Sequence, residues 1–218
     1  MTEPAIIIVI LAILLLGSWL LVRYYQRRRA LATLAYRLRL RFSAHHDPAL
    51  PGRLAGLYLM QLGHARRAYH VISGRREDLE LIAFDFSYET GLGSDRTSNQ
   101  ASVVVCKTIR VLPSIVALRD NSFQPLGKFS SFTSLATWSP NFDRTFALYA
   151  DHPEKARRAL TDDLQRLLLH CRHVNWELHD GYIVFFADRL LSAPQLRRLI
   201  HRALQTAQLL SEPLAKPN

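Results

Sequence analysis

The chain has 218 residues, 49% of them hydrophobic and 10% aromatic, with 28 Lys and Arg against 18 Asp and Glu, a net charge of +10, and two cysteines. That apolar fraction excludes an intrinsically disordered chain, and two cysteines exclude a scaffold built on disulfides. The basic excess is local: seven arginines (23, 27, 28, 29, 37, 39 and 41) and no acid lie between residues 23 and 41, and taking them and Glu3 away leaves 21 basic and 17 acidic residues, a net +4. A nucleic-acid partner, which needs a basic face on the folded domain, is therefore not expected.

The first element is residues 5–22, AIIIVILAILLLGSWLLV, without a charge. As a helix it is about 27 Å long, close to the bilayer hydrocarbon thickness of about 30 Å, and it reads as a single-pass transmembrane helix. A cleaved signal peptide carries its positive charge in front, whereas here Glu3 precedes and the arginines follow. Trp19, Tyr24 and Tyr25 suit the headgroup level, and the positive-inside rule puts the N-terminus outside and the rest in the cytoplasm, anchored at the plasma (inner) membrane. Cys106 and Cys171 then read as buried free thiols. Residues 23–44 continue as a basic juxtamembrane helix with Leu31, Leu34, Ala35, Leu38 and Phe42 on one face, able to lie on the bilayer or to pack on the domain. Arg23, Arg27, Arg28 and Arg29 are candidate contacts to anionic lipid headgroups, each contributing about 1 kcal/mol.

Residues 45–53, with His45-His46-Asp47-Pro48 and Pro51-Gly52, read as a linker. Adjacent histidines point apart in any regular element and zinc wants three or four convergent ligands, so no metal is assigned. From residue 54 to 149 the pattern is β, with candidate strands at 54–62, 67–73, 78–88, 100–109, 115–118 and 145–149. Connections too short for crossover helices predict antiparallel pairing. Along Leu79-Glu80-Leu81-Ile82-Ala83-Phe84-Asp85-Phe86 both pleat faces carry apolar residues, as in a central strand, and Asp85 needs a partner there. Thr90-Gly91-Leu92-Gly93-Ser94-Asp95 leads back into a strand, not a helix, so it is a hairpin loop and not a phosphate cradle; Gly91, Gly93 and Arg96 are candidate partner contacts. Residues 121–144 hold Phe123, Phe129, Phe132, Trp138 and Phe142 at uneven spacing, which either line a groove or pack on the sheet.

Asp151-His152-Pro153-Glu154 has the pattern of a capping box, opening a helix whose buried stripe is Ala156, Leu160, Leu164, Leu167, Leu168 and Cys171. Residues 174–179 and 182–187 flank Asp180-Gly181 as a β-hairpin. Ser192-Ala193-Pro194-Gln195 caps a last helix with Leu196, Leu199, Ile200, Ala203, Leu204 and Ala207 inward. His170, Cys171, His173 and His179 lack the spacing of a zinc set and fit a helix C-terminus that favours cations. Without a GxSxG, CxxC or Walker pattern, no catalytic residue, metal or cofactor is assigned. The fold class is α+β: an N-terminal transmembrane helix, then a mainly antiparallel sheet domain over 54–210 ending in helix, hairpin and helix, with a disordered tail at 211–218.

Ile72-Ser73-Gly74, Ala83-Phe84-Asp85-Phe86-Ser87-Tyr88-Glu89-Thr90-Gly91 and Asn141-Phe142-Asp143-Arg144-Thr145-Phe146-Ala147-Leu148-Tyr149, followed by the helix and hairpin, resemble a group of uncharacterised bacterial membrane-anchored proteins across residues 54–210. The resemblance implies fold and location, and no activity comes with it. This chain departs from the group's pattern at Ser94-Asp95 and at Ala117-Leu118-Arg119-Asp120. Three functions follow. The leading one is a non-enzymatic membrane-tethered module that presents the domain to another protein. The alternatives are a binding domain for lipid or a small apolar ligand under residues 121–144, and a hydrolase using Asp85, Asp143 or a histidine.

Overall fold

The computed structural model describes residues 3–108, 113–120 and 122–211, the side chains of residues 3–7, 9, 20 and 128 excepted. Its strands are β1 (Arg41–Ser43), β2 (His64–Arg76), β3 (Leu79–Thr90), β4 (Thr97–Lys107), β5 (Ile115–Leu118), β6 (Thr133–Leu135), β7 (Ala147–Ala150), β8 (Asn175–His179) and β9 (Tyr182–Ala187). They join in one antiparallel sheet of order β1-β2-β3-β4-β9-β8-β5-β7-β6. The helices are α1 (Glu3–Leu38), α2 (Leu50–Arg53), α3 (Pro140–Thr145), α4 (Pro153–Ala159), α5 (Asp162–Leu169) and α6 (Ala193–Ser211). The chain is thus α+β, and it closes with α5, the β8–β9 hairpin and α6.

Side-chain alternation along the strands explains why both faces of the sheet are covered. On β3, Leu79, Leu81 and Ala83 point into a core shared with α1, α4, α5 and α6, whereas Phe84 and Phe86 point into a second core with Leu50, Leu57, Tyr58, Leu59 and Phe129. β4 repeats the division: Val104 and Cys106 face the helices, and Val103 and Val105 the second core.

Among the described residues no helix is long and apolar enough to cross a membrane. The transmembrane helix at 5–22 is therefore withdrawn, and with it the single-pass topology, the outside N-terminus and the inner-membrane placement of a cytoplasmic domain. The apolar run does not end as a separate element at Arg23. It belongs to a 36-residue helix whose later turns bury Leu31, Leu34 and Ala35 in the core, while side chains such as Ile8, Ile13 and Leu15 stay exposed. Residues 23–44 do not form one helix either. Arg39, at φ 56°, ends α1 after Leu38, and Phe42 pairs with Ile72 in β1.

Other expectations shift locally. The apolar run at 54–62 is not a strand: it holds a 3₁₀ turn at Tyr58–Gln61, whose first amide donates to both oxygens of buried Glu177 at 2.8 Å. The helix expected after Asp151 is two, α4 and α5, because Leu160 leaves helical geometry and the Thr161 hydroxyl caps α5 by accepting from the Leu164 amide. Asp151 forms no capping box, since its carboxylate accepts from His152 instead. At the last helix the Gln195 side chain does reach back to the Ser192 amide at 2.9 Å. Residue 109 of the expected strand at 100–109, residue 121 of the aromatic segment and residues 212–218 of the expected tail lie outside the described residues.

Candidate functional site

The polar residues that strand alternation directs at the helices form one cluster. Asp85 continues the face of Leu79, Leu81 and Ala83; Ser102, its cross-strand neighbour, continues that of Val104 and Cys106. His70, left-handed at φ 52°, lies in the irregular register between Tyr69 and Ile72 and turns to the same side. Arg27 of α1 completes the set. Its Nε and Nη2 donate to the two oxygens of Asp85 at 2.7 and 2.6 Å, and its Nη1 donates to the Leu191 carbonyl at 2.9 Å. Asp85 also accepts from His70 Nδ1 at 2.9 Å and from Ser102 Oγ at 3.1 Å. Burial pushes the Asp85 carboxyl up, but the hydrogen bonds from His70 and Arg27 outweigh it and hold it below the usual range. Burial, reinforced by the Asp85 charge, pushes the Tyr69 phenol up to about 12.

This cluster joins elements and does not form a hydrolytic relay. Ser102 Oγ bonds Asp85, while His70 Nε2 is buried with no hydrogen-bond partner among the described residues, so the serine is not placed on the imidazole. Asp143, the other candidate acid, accepts from the amide and hydroxyl of Thr137 and stabilises the turn before α3.

Arg27 binds α1 to β3 and, through Leu191, to the residues just before α6. One to three turns further along α1, the two helices diverge into a groove of about 620 Å³. Ala30, Leu34, Leu38, Ile200 and Leu204 make it apolar, Arg37, Arg76, Arg197, Arg198 and Arg202 surround it with His201, and no carboxylate among the described residues lines it. Arg76 donates to the Leu38 carbonyl at 3.2 Å and Arg202 to Gln205 at 3.0 Å. Among the described residues, Arg37, Arg197 and Arg198 have no acidic partner. The groove went unseen in the sequence because its two walls are 160 residues apart; the missing acids beside Arg197 and Arg198 were its only signal.

The other sequence-derived candidates fall elsewhere. Arg23 stacks its guanidinium 4.8 Å from the Trp19 ring, and Arg28 and Arg29 are exposed, whereas Arg27 is turned into the domain. Gly91 and Gly93 shape an exposed hairpin tip, with Arg96 paired to Glu89. The aromatic segment divides: Phe123 stacks on Tyr149 at 4.1 Å and Phe129 is buried edge-on to Tyr58 at the second core, Phe142 packs beside Trp176 in the helix-facing core, and Trp138 is exposed. His170 Nδ1 bonds the Arg166 carbonyl and Cys171 is buried, so these two do not converge on a common point.

No protein-family model and no curated protein matches the chain. Among solved structures it is similar to the mycobacterial trehalose monomycolate transport factor A, TtfA, with a TM-score of 0.59 and 13% identity over 87% of this chain and 98% of that one. At that identity the likeness shows a shared fold.

Proposed function

We propose that this chain is a lipid-binding protein that holds an anionic lipid in the groove between α1 and α6, headgroup among the arginines and hydrocarbon on the apolar floor. The observation that carries this reading is the groove's composition: apolar below, five arginines around and, among the described residues, no carboxylate. Its volume of about 620 Å³ lies within the range of about 300–1,000 Å³ usual for small-molecule sites. A planar guanidinium pairs two N–H groups with a phosphate, and several around one site raise both affinity and salt sensitivity. Exposed Arg23, Arg28 and Arg29 add to the attraction, while Arg27 contributes through the fold. The name of the structural neighbour, a trehalose monomycolate transport factor, supports a lipid-related role.

The test is native mass spectrometry of the full chain in a polyoxyethylene detergent, with equal additions of dioleoylphosphatidylglycerol and dioleoylphosphatidylcholine. The glycerol lipid should be retained and the choline lipid lost, and Arg197→Gln with Arg198→Gln should reduce retention several-fold. Equal retention of the two lipids, or retention indifferent to the double substitution, refutes the groove as the site.

A further inference from the structure

A second concavity lies on the opposite face of the sheet and has different chemistry. It is an open cleft of about 320 Å³ where β3, β4, β8 and the end of β9 meet the segment after β5. We propose that this cleft is a binding site for an uncharged sugar ring. Its working groups are Tyr58, Tyr88, Asn99, Asn175 and Asp188, and among the described residues neither lysine nor histidine lines it. The argument rests on how those groups are already held. Asn175 accepts from the Arg119 amide at 3.0 Å and donates to Asp188 Oδ2 at 2.9 Å, which orients the carboxylate and leaves acceptor capacity on it. Asn99 donates its amide to Thr90 Oγ1 and the Thr97 carbonyl, which fixes the plane of its side chain and aims its carbonyl oxygen. The Tyr58 oxygen accepts from the Gln124 amide at 2.7 Å, leaving its proton to donate.

The cleft therefore offers acceptors and a donor whose orientations the protein has already set: Tyr88, Asn99 and Asn175 stand on strands, Asp188 directly follows β9, and Tyr58 opens the 3₁₀ turn. Vicinal hydroxyls, each both donor and acceptor, match a carboxylate flanked by amides. The Tyr88 ring, half-buried and stacked on Phe86 at 5.5 Å, supplies the flat apolar surface that the C–H face of a sugar needs. A phosphate or carboxylate ligand is disfavoured, since Asp120 and Asp188 are the charged groups in the lining.

Saturation-transfer NMR on the full chain, in the same sugar-free detergent, should show transfer to the ring protons of methyl α-D-glucopyranoside or sucrose at millimolar concentration. Asp188→Asn and Asn99→Ala should each cut that transfer several-fold at unchanged melting temperature, and Arg197→Gln in the lipid groove should leave it intact. Absence of transfer from both sugars overturns the proposal, as does transfer equal in wild type and both cleft variants. A response to calcium chloride that Asp188→Asn abolishes, with the sugars silent, overturns it in favour of a cation site.

Discussion

Replacing Arg27 by Met keeps the aliphatic stem and removes the guanidinium, and with it both the pair with Asp85 and the bond to the Leu191 carbonyl. Asp85 is 1% exposed as a side chain and Arg27 19%, which makes the contact a buried one and not a surface bridge. In the variant the carboxylate loses its two bonds from the guanidinium, at 2.7 and 2.6 Å, and keeps those from His70 and Ser102. Breaking one side of a buried pair costs about 3–5 kcal/mol, whereas surface pairs contribute about 0–1 kcal/mol. Arg27→Met should therefore lower stability by roughly 3 kcal/mol in urea unfolding of the full chain. Adding Asp85→Asn, which removes the stranded charge and leaves a group able to bond Ser102, should recover part of it.

The pH dependence has a definite sign. The folded Asp85 carboxyl is held low, so the stability contributed by its charge is present above the unfolded value of about 3.9 and is lost as pH falls through the folded one. The gap between wild type and Arg27→Met should be full at neutral pH and narrow below about pH 4. A loss under about 1 kcal/mol, or a gap that persists unchanged into acid, would refute the assignment of Arg27 as the bolt of α1.

Removal of residues 1–22 should leave the melting temperature within a few degrees of the full chain, because Arg27, Leu31, Leu34 and Ala35 remain; removal of 1–29 should lower it steeply, and equal behaviour of the two truncations would contradict this. Burial pushes the Cys106 thiol up to about 12 and the Cys171 thiol up to about 11, so an aromatic disulfide reagent at neutral pH should react with neither until the chain is unfolded. Gly91→Ala, at φ +76° and with its new methyl group against the Asp95 carbonyl, should destabilise the hairpin by more than the roughly 1–2 kcal/mol of a left-handed alanine, and Gly93→Ala, with open space around it, by about that amount, both read by thermal unfolding.

What could be read from the sequence was what local periodicity carries. The strand at 115–118, the β8–β9 hairpin and the inward stripe of α6 from Leu196 to Ala207 follow from spacing alone and stand in the structure. Residues 54–62 misled because an apolar run bounded by glycines satisfies a strand and a buried turn equally, and what decides is the Glu177 carboxylate, 119 residues away. The break between α4 and α5 did have a local signal, Thr161 ahead of Asp162 and Asp163, that the longer apolar stripe across it concealed. Asp85 announced its need for a partner, but the choice of Arg27 over the other arginines is tertiary. Ser102 was hidden inside a valine strand, although its parity with Val104 and Cys106 puts it on the helix-facing side.

The same side chain that locks the fold also sets the proposed site. Arg27 holds α1 to the sheet through Asp85 and holds the chain just before α6 through Leu191, so both walls of the groove start from one guanidinium. Farther along, those walls bring Arg37, Arg197, Arg198 and Arg202 to the edges of one space without an acid between them. Like charges gathered this way repel, and the repulsion acts directly against the α1–α6 contact that Arg27 secures. An anion among them reverses the sign of the interaction. Bound only by the folded form, at a concentration 100 times its dissociation constant, it stabilises by about 2.7 kcal/mol, close to the roughly 3 kcal/mol expected to be lost in Arg27→Met. The empty groove thus leans on the buried pair, and the filled groove leans on it less: anionic lipid should protect Arg27→Met more than wild type, and should protect both more weakly once Arg197 and Arg198 are neutralised.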